Sequence, residues 1–189
     1  MAGSGRGASD AMRWLPAALV LLIAACAGPP GGLPAVPDRP SAGAADPTHQ
    51  AIFRAAYAFG DPGRLAGRPA DAARAAADLE FLAVALPQDQ RWIGASPLLF
   101  GELAAARTEL RIALGIPAEA TPAAVTQRLD TTAAALEAGR RAEAAALAGG
   151  EDRIATLAAL PPLPRSAAAT QAAQSALGRL MGDDPMNGE

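Results

Sequence analysis

Alanine accounts for 52 of the chain's 189 residues and leaves only 44 larger apolar side chains to fill a core. Burial stabilises by roughly 25 cal/mol per Å² of apolar surface. A methyl group offers little surface, so this chain can bury a core but only a thin one. Alanine also loses no side-chain entropy on entering a helix, which makes it the strongest helix former. Aromatic residues are 4% of the chain and β-branched residues are few, so little favours sheet. The composition predicts an all-α protein.

All 16 basic residues are arginine, and Asn187 is the only asparagine. GC-rich coding accounts for that bias, so the Ala and Arg content is not itself a functional signal. The net charge is −3 and the arginines are scattered, with no basic run. Binding to nucleic acid needs clustered positive charge against phosphates, and no such partner is expected.

The start of the chain has its own character. Arg13 is followed by WLPAALVLLIAACA, residues 14–27, without a charge. A bilayer-spanning helix needs about 20 apolar residues, whereas about 10–14 suits the apolar region of a signal peptide. Arg6 and Arg13 make the flank before it positive, and Met12 followed by Arg13 would itself form a compact start, so Met12 is the expected initiator. The run ends in IAAC, residues 23–26, which holds the only cysteine, Cys26. A branched aliphatic residue, two small residues and a cysteine after such a run resemble the lipobox of bacterial lipoproteins. The resemblance covers residues 1–26 and departs mildly in having Ile23 where leucine is usual.

That resemblance implies cleavage after Ala25 and a diacylglyceryl group on Cys26, which becomes the mature N-terminus and usually carries a further acyl chain. Each buried CH₂ adds about 0.8 kcal/mol, and two or more chains anchor firmly. Ala27 stands where an aspartate would imply retention at the inner membrane, so the implied place is the outer membrane, facing the periplasm. The residues leave alternatives open. Ala25-Cys26-Ala27 also fits an ordinary signal-peptidase site, which would release a secreted or periplasmic soluble protein. The segment could instead stay uncleaved, or Cys26 could be incidental. With no second cysteine, an intramolecular disulfide is excluded.

Residues 27–47 contain six prolines and four glycines. Proline lacks a backbone donor and glycine raises the entropy lost on ordering. The expectation is a disordered tether over 26–47, reaching up to about 65 Å at roughly 3.1 Å per residue.

Beyond it, helix signals recur. Asp46-Pro47, Ser96-Pro97 and Thr121-Pro122 each set a capping side chain before a proline suited to a first helical turn. The first helix carries Ile52, Phe53, Ala56, Tyr57 and Phe59 and ends at Gly60; GDPGR then reads as a turn. The second runs from Pro69 to Leu86 with the stripe Ala72, Ala76, Leu79, Leu82 and Leu86. The third presents Leu99, Leu103, Ala106, Leu110 and Leu114 and stops at Gly115-Ile116-Pro117. A long helix is expected from Thr121 to about Ala148, with Val125, Leu129, Ala133 and Leu136 inward, followed by a short helix over 152–160. A last helix over 166–181 presents Ala173, Leu177, Leu180 and Met181.

Every aromatic after residue 47 lies between Phe53 and Phe100, so the best packing is expected over 48–116 and loose packing over 139–181. The expected architecture is an all-α, small antiparallel bundle of four or five helices over 48–181, after the signal peptide (1–25) and tether (26–47) and before a disordered tail (182–189). The spacing of the capping prolines and the missing repeat pattern exclude a tetratricopeptide array.

No chemistry-bearing motif is found. His49 is the sole histidine and reads as incidental, and one His with one Cys cannot assemble the usual zinc sets, so no metal or cofactor is expected. GASP, residues 94–97, lacks the second glycine of a nucleophile elbow and reads as a loop and helix cap. Asp71, Arg74 and Asp78, and Glu137 with Arg140 and Arg141, read as surface pairs at helical spacing. The one stretch suited to recognition is 88–97, where Arg91 and Trp92 would form a contact pair; the alternative is Trp92 as a plug over the bundle. The functional expectation is a non-catalytic structural or protein-binding lipoprotein of the envelope, with a membrane partner through Cys26. The alternative is a secreted helical protein that binds a small ligand or carries an unrecognised activity.

Overall fold

The computed structural model describes residues 33–38 and 46–182; the expected signal peptide, Cys26 and the tail beyond Gly182 lie outside them. The described residues form seven α-helices and no strand: α1 Pro47–Phe59, α2 Pro69–Ala85, α3 Pro97–Leu114, α4 Pro122–Glu137, α5 Arg141–Ala148, α6 Glu151–Ala158 and α7 Pro164–Gly182. The all-α expectation holds. The helix count is higher than four or five, partly because the expected long helix of 121–148 is two.

The start signals act as read. Asp46, Ser96 and Thr121 accept hydrogen bonds from the amides of Thr48, Leu98 and Ala124, each with proline at the first helical position. The stops work through glycine. Gly115 takes the left-handed conformation (φ 59°), and the Ile116 amide reaches back to the Arg111 carbonyl at 2.8 Å. Gly139 (φ 71°) does the same after α4, where the Arg140 amide bonds the Ala135 carbonyl at 2.8 Å. That reversal cuts the long helix and lets α5 fold back on α4.

The centre of the fold is α2, which packs against α1, α3, α4 and α6. Its residues 75–82 are buried without a break, around the whole circumference. Alanine permits this, because a helix faced with methyl groups lets neighbours approach closely from every side. The expected stripe from Ala72 to Leu86 is fully buried, but so are Asp78 and Glu80, each at 0% exposure. Residues two apart point to nearly opposite sides of a helix, and each acid has its own partner. Asp78 receives two hydrogen bonds from Arg54 of α1, at 2.7 and 3.0 Å. Glu80 receives two from Arg111 of α3, at 2.6 and 2.9 Å.

The surface-pair reading of Asp71, Arg74 and Asp78 is therefore corrected. Arg74 also leaves its own helix and grips Glu137 of α4 with both carboxylate oxygens at 2.8 Å. Arg140 pairs with Glu143 at 2.6 Å and Arg141 with Glu151 at 2.8 Å, not with Glu137.

Two packing expectations are also corrected. Phe53 and Tyr57 lie on the outer face of α1, 50% and 65% exposed, while Ala51, Ile52, Ala55 and Phe59 face inward. Small residues win the inner face because they allow α1 to close on the alanine-rich α2. The Arg64 guanidinium stacks on the exposed Tyr57 ring at 4.0 Å. Residues 154–177 are not loose: Ile154, Leu157, Ala169, Ala173 and Leu177 belong to the same core, and α7 packs on both α1 and α3, while 139–143 are exposed as expected for that end. Leu180 and Met181, at the end of α7, are exposed.

Candidate functional site

The expected contact pair resolves into two different roles. Trp92 sits in a short 3₁₀ turn, Gln90–Trp92, and is only 2% exposed. Its ring is a plug in the core and offers no surface to a partner. Arg91 stays at the surface as a clamp: it pairs with Asp89 at 2.5 Å and with Asp46, the cap of α1. Beside this clamp the Gly/Pro-rich segment touches the domain. Residues 33–38 have no regular structure, yet Pro37 is buried and the Pro34 carbonyl accepts from the Gln88 amide nitrogen at 3.0 Å. His49, on the first turn of α1, lies 3.8 Å from Asp46.

The clamp has a sign in pH. The Arg91 guanidinium outweighs the opposing effect of burial and holds Asp89 below the usual carboxylate range. Burial works to raise Asp46, but Arg91 and the Thr48 amide together bring it below that range as well. A carboxylate depressed in the fold contributes stability above its unfolded pKa, about 3.9, and loses it as pH falls through the lower folded value. Asp89→Asn should therefore be less stable than wild type at pH 6, and the gap should close by pH 2. Urea midpoints at the two pH values check this; a gap that persists at pH 2 would refute the ionic clamp.

A second feature went unread in the sequence. The end of α3 and its glycine stop, one face of α4, the end of α5 and one face of α6 enclose a cleft of about 400 Å³. The α4 wall carries Ala124 and, spaced i, i+3, i+4, i+7 on one helix face, Val125, Arg128, Leu129 and Thr132. From α6 come Arg153 and Leu157. Arg153 donates to the Leu114 carbonyl at 2.5 Å across the mouth. A side chain on Gly115 would only push that guanidinium aside; it is the left-handed φ that asks for glycine there.

The loop between α3 and α4, which borders the cleft, is held from within. Beyond its pair with Glu80, Arg111 donates to the carbonyls of Ala118 and Ala120, both at 3.0 Å. The cleft's polar content is sparse and specific: two guanidiniums, no carboxylate among its lining residues, and the hydroxyl of Thr132, which is 1% exposed and has no hydrogen-bond partner. The sequence signal was available at Arg128, a charge set into the stripe Val125-Leu129. Reading the stripe as core hid the cleft, and which helices close its other side is a matter of tertiary packing.

Among the described residues no group of three or more His, Cys, Asp or Glu residues could hold a metal ion, and no helix is long and apolar enough to cross a membrane. Comparison with protein-family models, curated proteins and solved structures returns no match.

Proposed function

We propose that this chain is an exported bacterial lipoprotein, acylated on Cys26, whose helical domain is a non-catalytic binding module in the cell envelope. The anchor is supported by the short apolar run and the IAAC sequence before a Gly/Pro-rich stretch. The binding role is carried by one observation, the cleft of about 400 Å³ with apolar walls and few polar groups. Its size lies within the range of small-molecule sites, about 300–1,000 Å³. The same cleft serves the second reading, a soluble secreted carrier, and the two differ only at the N-terminus.

Cell fractionation of wild type and Cys26→Ser, with mass measurement of the mature N-terminus, separates them. The expected result is a membrane-bound wild type with a diacylglyceryl-modified Cys26 and release of the variant into the soluble fraction. Identical partition of both forms with an unmodified N-terminus would overturn the anchor.

A further inference from the structure

We infer that the cleft between α3, α4, α5 and α6 binds an aliphatic carboxylate, its chain against Val125, Leu129 and Leu157 and its head group at Arg128 and Thr132. The inference rests on the binding-module reading and gives that module a ligand class. Three observations converge on it.

The first is charge. The chain carries −3 overall, yet the cleft is lined by two arginines and no acid. A concave site opposite in sign to the rest of the molecule attracts anions. Among the described residues the Arg128 guanidinium has neither an ion pair nor a hydrogen bond, only the backbone carbonyl being engaged, by the Thr131 hydroxyl, so its planar donor fork is available to a carboxylate.

The second is Thr132. A threonine inside a helix commonly returns its hydroxyl to the carbonyl one turn back, and Thr108, Thr131, Thr156 and Thr170 all do so, at 2.7–3.0 Å. Thr132 does not, although it is 1% exposed; Thr126 of the same helix shares that state, but only Thr132 lines the cleft. A buried hydroxyl without a partner is costly, and it lies on the cleft wall one turn from Arg128. Both donors can therefore address one head group.

The third is size. At the roughly 30 Å³ that one water occupies in the liquid, the cleft's 400 Å³ takes about a dozen non-hydrogen atoms. A carboxylate uses three of them, and the apolar wall suits a saturated chain for the rest.

The test is calorimetric titration of the full chain with decanoate, and with decanol as the uncharged counterpart. Decanoate is expected to bind at least about tenfold more tightly than decanol, the scale of one hydrogen bond to a charged group. Arg128→Gln and Thr132→Val should each weaken decanoate about tenfold by the same argument. Thr132→Val should leave the unliganded melting temperature unchanged or raised, which separates lost binding from lost folding. No heat with decanoate, equal affinity for decanol, or unchanged affinity in both variants would overturn the inference. An unacylated Cys26 in a chain that binds decanoate would remove the anchor and leave this site standing.

Discussion

Arg111→Met should destabilise the domain by about 3–5 kcal/mol, the range found when one partner of a buried ion pair is removed. Glu80 is wholly buried within α2 and its carboxylate has Arg111 on both oxygens. Methionine fills the stem but leaves that charge without a counterion in a low-dielectric interior. It also strips donors from the Ala118 and Ala120 carbonyls. The double variant Glu80→Leu with Arg111→Met removes the charge together with its partner, and well-packed apolar replacements of buried pairs are often close to neutral. It should recover most of the loss but not all, because the loop carbonyls stay bare. Urea unfolding of wild type, the single variants Glu80→Leu and Arg111→Met, and the double variant closes the cycle. A loss below about 1 kcal/mol for Arg111→Met, the level of an exposed pair, would show that the pair is not buried as described.

Trp92→Ala is the second large effect, at about 3–5 kcal/mol, the cost of emptying a core site of that size. The ring is almost fully enclosed although it lies in a connecting turn. Its neighbour Arg91 is exposed and paired across the surface, and Arg91→Ala should cost no more than about 1 kcal/mol. Thermal unfolding of both variants reads the contrast directly. Were Trp92 a contact residue for a partner, its removal would spare stability, and the two variants would melt together.

What could be read from the sequence was local. Capping by Asp46, Ser96 and Thr121 is a matter of two or three adjacent residues, and so is the stop at Gly115. Gly139 carries the same signal, but no proline follows it, and an arginine-rich continuation at helical spacing masks the break. The burial of α2 was also present in the sequence. From Ala75 to Leu86 only Asp78 and Glu80 are not apolar, and a helix apolar on all sides is a buried one. Reading a single stripe there turned one core acid, Asp78, into surface decoration and passed over Glu80. The outward turn of Phe53 and Tyr57 was not available from pattern. It depends on the methyl-faced helix that α1 meets, and that choice is made by packing across the chain. The cleft is of the same kind, since its α4 wall is a sequence stripe but its depth comes from where α5 and α6 come to rest.

The alanine-lined centre also fixes how the protein responds to temperature. Unfolding raises heat capacity by about 0.45 cal/K/mol for each Å² of apolar surface exposed and lowers it by about 0.26 for each Å² of polar surface. A helix such as α2, with Ala72, Ala73, Ala75, Ala76 and Ala77 all buried, releases less hydrocarbon per peptide group than one faced with larger side chains. The balance moves down, below the usual figure of about 12–15 cal/mol/K per residue. A small heat-capacity change makes the curve of stability against temperature shallow. The domain's stability therefore changes slowly with temperature on either side of its maximum.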